Sequence, residues 1–332
     1  MPTALQALRR LQLGKETTPG TVAQATVAIP ASWEQDEQVN VGKLKGVTGY
    51  RIAPANGPIV GRGFGLAVET ELTAEEILWP LLTGLASVTP SGSGPAYTWT
   101  FAPSLGGHAQ VATATAECIK TDGAANHYVA IVPYCFTTKF SIEWNATDLA
   151  ALKWEMAGRA RQNGAPTASI NPYASREPLV GGLAKVYLDS SWASLGTTQL
   201  SGVVRSGTLE VNTGLVPVQT VDGRADLDFA KHSSGELSAS LELVLELDAV
   251  GSAQYQRYRD NGTAFIRVRF DGTNIGGQPR YVQVDGCWQV DGQPKSSVDG
   301  QQEMVGIKFR LIRDSVSGNA LAVAVRNGLQ AV

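Results

Sequence analysis

Histidine and cysteine are scarce in this chain, three of each among 332 residues, and the scarcity closes off much chemistry. Cys118, Cys135 and Cys287 include no Cys-x-x-Cys pair and cannot complete a disulfide framework, so they read as buried thiols made in a reducing cytosol. His108, His127 and His232 have neither a second histidine nor paired carboxylates at metal-ligand spacing. There is no Gly-x-Ser-x-Gly elbow, no His-Glu-x-x-His, no P-loop and no dinucleotide fingerprint. Gly61-Arg-Gly-Phe-Gly65 superficially matches a phosphate cradle, but it leads into a strand-like segment at Leu66 where a cradle needs a helix. No catalytic residue, cofactor or metal is expected, and the chain reads as a non-enzyme.

Long apolar runs are missing too. Nothing approaches the roughly 18 residues that a membrane helix needs, and Arg9 and Arg10 are followed by no apolar core or cleavage site of a signal peptide. Membrane binding is therefore not expected. A net charge of -3 argues against a protein whose task is gripping nucleic acid, but not against a surface past which nucleic acid slides. With 43% hydrophobic and 17% charged residues, the chain has the composition of an ordinary globular protein.

What the sequence has in abundance is alternation. In Leu237 to Asp248 the odd positions from 237 to 247 are all apolar and the intervening ones mostly Ser, Glu or Asp, the pattern of a half-buried strand. Gly207 to Asn212, Ala225 to Ala230, Phe265 to Asp271, Arg280 to Asp285 and Gly306 to Arg313 share that period. So do Leu66 to Leu72, Tyr97 to Phe101, Thr138 to Trp144 and Ala151 to Met156. The expected fold is mainly β: two tandem antiparallel β-barrel or sandwich domains, each with one short helix. Those helices are Thr73 to Gly84, with a Thr cap, acids in the first turn and Pro80 to shorten or kink it, and Ser252 to Asn261.

The chain also repeats itself. Tyr128-Val129 recurs as Tyr281-Val282, and Leu152-Lys-Trp154 as Ile307-Lys-Phe309, at separations of 153 and 155 residues; Glu71-Leu72 and Glu246-Leu247 match at 175. This predicts a first domain over 1–163, a linker over 164–177 containing Gly164-Ala-Pro166 and Asn171-Pro172, and a second domain over 178–332. Three such chains have the makings of a ring with six similar positions, and a duplicated monomer is the competing reading. Tyr50 to Phe64 and Asn212 to Arg224 read as long Gly- and Pro-rich excursions.

Glu69 with Glu71, Asp226 with Asp228, and Glu242 with Glu246 fall on common strand faces, since a spacing of two or four returns to one side of a sheet. A glycosidase-like pair is one reading; a solvated acidic face is the simpler one. Taken together, such faces repel a polyanion and would lubricate a channel, while Lys139, Lys153, Arg267, Arg269, Lys308 and Arg310 make other faces basic. Trp33, Trp99, Trp144, Trp154, Trp192 and Trp288 offer sugar-stacking platforms to an alternative reading, a two-domain β carbohydrate-binding or adhesion module, although their place in apolar faces favours the core.

The run Leu13-Gly-Lys-Glu-Thr-Thr-Pro-Gly-Thr-Val-Ala23 leading to Ile29-Pro30, followed by a long loop, a strand and Glu75-Glu-Ile-Leu-Trp-Pro-Leu-Leu-Thr-Gly84, resembles the tail tube (major tail) proteins of long-tailed bacteriophages in a double-length form. The resemblance implies a virion protein made in the bacterial host cytoplasm that assembles with itself into stacked rings, trimeric for a two-domain subunit. It implies contact with tape measure, tail tip and terminator proteins, and transient passage of double-stranded DNA. On it, Glu69, Glu71, Asp226, Asp228, Glu242 and Glu246 are candidates for the lumen. Arg51, Ile59, Val60, Arg62, Leu215, Val216, Val218, Leu321, Val323 and Val325 are candidates for inter-ring contacts, the last three with Ala4 to Leu13 as terminal segments that either reach a neighbour or fold back on their own domain.

Overall fold

A computed structural model describes residues 5–42 and 57–332. The first half runs β1 (Arg10–Lys15), β2 (Val27–Ile29), β3 (Ser32–Val41), β4 (Ile59–Glu71), α1 (Leu78–Gly84), β5 (Tyr97–Phe101), β6 (Ala114–Thr121), β7 (Asn126–Asn145) and β8 (Ala151–Gly158). The second runs β9 (Lys185–Asp189), β10 (Val204–Asn212), β11 (Leu215–Val218), β12 (Lys231–Ser234), β13 (Ser238–Glu246), α2 (Ala249–Arg259), β14 (Thr263–Ile275), β15 (Gln278–Val290), β16 (Lys295–Asp299), β17 (Gln302–Leu311) and β18 (Leu321–Asn327). Alternation decides which face each strand buries: along β13, Ala239, Leu241, Leu243 and Leu245 are covered while the even positions are not. The fold is mainly β and antiparallel, and its sheets are sandwiched and not closed into a barrel.

Strand pairing displays the repeat more clearly than the sequence does. The order β3, β4, β8, β7 in the first half recurs as β10, β13, β17, β15 in the second. β6 pairs both β1 and β7, as β14 pairs both β9 and β15. Even a single bridge is matched: Ile131 meets Gln162 where Val284 meets Val323 of β18. Antiparallel pairing of β7 with β10, Ser206 to Asn145 through Asn212 to Lys139, fuses the two sets into one continuous sheet. In this register Glu69 pairs Lys153 as Glu242 pairs Lys308, so the structural counterpart of Glu242 is Glu69, and the 175-residue match of Glu71 with Glu246 is out of step by two.

The helices differ in what they cover. Every residue of α1 is buried, and Pro80 costs it little because the third position of a seven-residue helix needs no backbone donor. Thr73 does cap the preceding turn, its Oγ1 accepting from the Glu76 N–H at 2.9 Å. In α2 only Gly251 and Gln254 are buried, and the helix starts three residues before the predicted Ser252, at a cap where Asp248 accepts from the N–H groups of Val250 and Gly251.

Several expectations require correction. Ala225 to Ala230 is a loop: Leu227 has φ +55°, which breaks extension, and Asp228 turns inward to Arg224 Nε at 2.7 Å. Its apolar alternation arises because Phe229 fills a small core with Tyr134, Phe136 and Leu215. Ile59 to Phe64 is no loop but the start of β4, in a hairpin with β3; Arg51 and the rest of 43–56 lie outside the described residues. The apolar C-terminal residues fold back: Leu321, Val323 and Val325 are core side chains of β18, which pairs β15 and β5, and Leu215 is buried as well. β1 likewise pairs β2 and β6 of its own chain.

At the joint of β7 and β10, Trp144 lies flat on Gly207; a Cβ there would come within 2.2 Å of its ring. Gly207→Ala is expected to destabilise the chain by about 1–3 kcal/mol through overpacking, whereas Gly106→Ala, with open space around it, leaves the melting temperature unchanged in a thermal denaturation series.

Candidate functional site: a polar sheet face

The sheet that buries Val68, Leu152, Ile142, Leu209, Leu243 and Ile307 on one side must send the alternate residues to the other. Register places them in rows. Ser32, Glu69, Lys153 and Ser141 are successive cross-strand neighbours, and so are Glu143, Thr208, Glu242 and Lys308. Lys153 Nζ lies 3.0 Å from Glu143 and 3.5 Å from Glu69, and the Glu143 hydrogen bond holds its pKa above the ordinary value. Lys139 meets Glu210 across the joint at 3.0 Å, and Arg205 meets Glu246 at 2.6 Å. The cations of this part of the face are thus already occupied by carboxylates, which lowers their availability to any passing phosphate. Lys308 and Arg310, on the β17 side, have no carboxylate within 4 Å among the described residues.

Of the acids singled out from the sequence, Glu69, Glu71, Glu242 and Glu246 stand on this face, whereas Asp226 and Asp228 sit in the 219–230 loop away from it. Glu34, Glu143, Glu155 and Glu210 share the face and were missed: the last three are each the lone acid of their strand, Glu34 has Asp36 two residues on, and only register brings the four together. Arg267 and Arg269 belong to β14 and are tied to Asp285 and Asp271 at 2.6 and 2.7 Å. Trp33, Trp99, Trp144, Trp154 and Trp288 are all buried, so their rings are closed to a sugar; Trp192 is half-buried. Among the described residues no three side chains come together to hold a metal ion.

A second cluster joins the halves. Glu75 and Glu76, read from the sequence as first-turn acids of a helix, are fully buried. The 164–177 segment covers them. Arg176 Nε donates to Glu76 at 2.7 Å and the same guanidinium also bonds Glu71, Ser175 Oγ donates to Glu75 at 3.1 Å, and Tyr173 accepts from the Trp79 indole at 3.1 Å. From β15, Arg280 reaches the Ser175 carbonyl at 2.6 Å, Glu177 at 3.3 Å and Glu75 at 3.4 Å. Glu177 in turn accepts from the Thr273 N–H at 2.9 Å. Burial pushes Glu75 up to about 7 despite Arg280, and pushes Glu76 upward despite Arg176. For Glu71 burial acts the same way, but the Arg176 hydrogen bond and charge outweigh it and hold the group below its usual value.

Two outcomes are expected from this cluster. Arg176→Ala strands the buried Glu76 carboxylate and costs about 3 kcal/mol or more in denaturant unfolding. A folded state that keeps the Glu75 proton, while the unfolded chain releases it near 4.5, loses stability as pH rises from 4.5 through about 7. Glu75→Gln is expected to flatten that decline in melting temperature between about pH 5 and 8.

The N-terminal motif has a structural reason. Glu16 is buried, and its carboxylate accepts from Thr113 Oγ1 at 2.6 Å, Gly20 N at 2.7 Å, Tyr134 N at 2.8 Å and Thr115 Oγ1 at 2.9 Å. It thereby pins the first loop to β6 and β7. Gly14 has no room for a side chain, a Cβ lying 2.2 Å from the Gln24 carbonyl oxygen, and Gly20 has φ +83°. No curated protein matches the chain. The family model of the phage tail tube protein matches residues 6–306, from ahead of β1 into β17. Members of this family are components of the virion tail, and no helix among the described residues is long and apolar enough to cross a membrane. The chain belongs to the phage tail tube protein family.

Proposed function

We propose that this chain is the double-length subunit of a hollow tail tube, in which three copies close a ring with pseudo-sixfold character, rings stack, and double-stranded DNA passes through the channel without covalent chemistry. The observation that carries the reading is the doubled strand order, β3, β4, β8, β7 and then β10, β13, β17, β15, in one continuous sheet. Each chain then supplies two similar units, residues 1–163 and 178–332, held by the 164–177 clasp. Three chains supply six.

The polar face is the channel lining in this reading. Its acids repel a duplex carrying a charge about every 1.7 Å, and the ion pairs of Lys139, Lys153 and Arg205 leave few cations to hold phosphate. The β3–β4 and β11–β12 hairpins adjoin where the Arg62 N–H donates to the Leu227 carbonyl at 2.9 Å. They present Ile59, Val60 and Val216 to solvent, with Arg62 exposed and Val218 half-buried nearby. These residues serve as inter-ring contacts, and the tape measure, tail tip and terminator proteins are the tube's further partners.

Negative-stain electron microscopy across a concentration series, with mass measured in solution, tests the reading. Rings or hollow filaments of threefold symmetry are expected; a persistent monomer, even with tail-tip material present, overturns it. Val60→Asp combined with Val216→Asp is expected to leave single rings and abolish filaments, because burying two carboxylates in an apolar contact costs several kcal/mol.

A further inference from the structure

Five strands of the long sheet pair another strand on one side only among the described residues, and in β2, β5 and β9 the other edge bonds a non-strand segment at Asn171, Ser91 and Thr198; β3, paired with β4, and β16, paired with β17, are the remaining two. Apart from Trp33 and Gln35, every residue of β3 is exposed, as are all five of β16. Open edges of this kind are templates for a further strand.

The repeat puts these two edges at matching places. Ser32 faces Glu69 as Thr208 faces Glu242, so β3 stands where β10 stands in the second half. Glu143 faces Ala151 as Lys295 faces Gly306, and Phe140 faces Trp154 as Val290 faces Phe309, so the end of β15 with β16 stands where the C-terminal part of β7 stands. Within the chain, those two places are joined to each other, β7 to β10. Resting on the tube reading above, we propose that copies of the chain join head to tail by antiparallel pairing of β16 and the end of β15 with β3 of the next copy, in the register of the internal joint and held by opposite charge.

The transposed register is definite. Thr208 opposite Glu143 becomes Ser32 opposite Lys295, and Val211 opposite Phe140 becomes Gln35 opposite Val290. The stretch Asp291 to Pro294 holds two more residues than β7 has there, so the seam is two short pairings about a bulge.

Charge sets its direction. β3 carries Glu34, Asp36 and Glu37 and no base, although Glu37 already meets Arg161 at 3.4 Å, while the other edge offers Lys295 and Asp299 on β16 and, behind them on β17, Lys308 and Arg310; none of these three bases has a carboxylate within 4 Å among the described residues. The internal joint has the same polarity, with Lys139 of β7 on Glu210 of β10. Glu34 takes the place of Glu210. Gln289 takes that of Lys139, and Arg310, bonded to Gln289 at 3.1 Å, supplies the cation. Asp291 falls opposite Glu34, and Lys308 and Arg310 offset it. Because the two edges differ, the contact is heterologous and closes into a ring or winds into a filament.

A cysteine pair tests the register, since directly opposed residues bring their Cα atoms to about 4.5–5.5 Å, within disulfide reach, and the native thiols are buried. Ser32→Cys with Lys295→Cys is expected to give a covalent ladder up to the ring number on a non-reducing gel, while Ser32→Cys with Val316→Cys gives none. Lys295→Glu with Lys308→Glu and Arg310→Glu is expected to raise the assembly concentration roughly tenfold or more in sedimentation. Adding Glu34→Lys, Asp36→Lys and Glu37→Lys to the same chain restores it, with unchanged circular dichroism melts showing that each monomer is folded. Wild-type rings without the cross-link and indifferent to charge reversal overturn this seam and leave the tube reading standing. A wild-type chain that never assembles overturns both.

Discussion

The architecture depends on β7 being one uninterrupted strand of 20 residues with three different partners. Its first part pairs β6, its second part pairs β8 on one edge and β10 on the other. One strand therefore belongs to both layers of the first unit and also joins that unit to the second. To pass between layers it must bend, and it does so at Tyr134, whose φ of +56° is uncommon for an aromatic residue. The bend is held from both sides: Glu16 accepts the Tyr134 N–H, and the Arg159 guanidinium lies 4.4 Å from the Tyr134 ring centre. The conspicuous N-terminal motif is thus a support for the bend.

A different constraint holds the two halves in register beyond the sheet. Apolar surface packs in many ways, but buried charges must meet at hydrogen-bond distance or leave a costly unpaired group. Glu75, Glu76, Arg176 and Arg280 impose that demand on three separate segments: the turn before α1, the connecting segment and β15. β5 adds a second tie, since it follows α1 in the chain yet pairs β18 at the far end of the sequence. The halves are consequently locked together in spite of their repeated topology.

Much of this was legible in sequence because period two is hard to disguise. The alternation of Leu237 to Asp248 corresponds to β13, and Tyr97 to Phe101 is β5 to the residue. What sequence concealed was whatever depends on a partner far away. Glu75 and Glu76 look like ordinary first-turn acids until Arg176 and Arg280 are brought to them from 100 and 205 positions away, Arg176 to Glu76 and Arg280 to Glu75. Asp226 and Asp228 mimic a strand face, but Leu227 turns left-handed and Asp228 points inward. Leu321, Val323 and Val325 are apolar enough for an interface and equally for a core strand, and composition has no means of choosing. Register was the largest hidden quantity, since the row Glu69, Lys153, Ser141 exists only once three strands are aligned.

Duplication changes the physics of assembly by making half the joints intramolecular. The β7–β10 joint forms at the effective concentration set by the connecting segment, whereas a joint between copies must meet the full cost of association. Unlike joints can then carry unlike sequences. The internal one packs Trp144 on Gly207 and is consolidated by the buried clasp; the outer strands instead carry exposed acids on β3 and, alongside Asp299, the unpaired bases Lys295 of β16 and Lys308 and Arg310 of β17. The uniformly acidic β3 also opposes β3 meeting β3, one of the wrong pairings open to two free strands. In the ring proposed above, avoiding like edges would matter more for a doubled subunit than for a single one, because a misjoined copy would remove two positions at once.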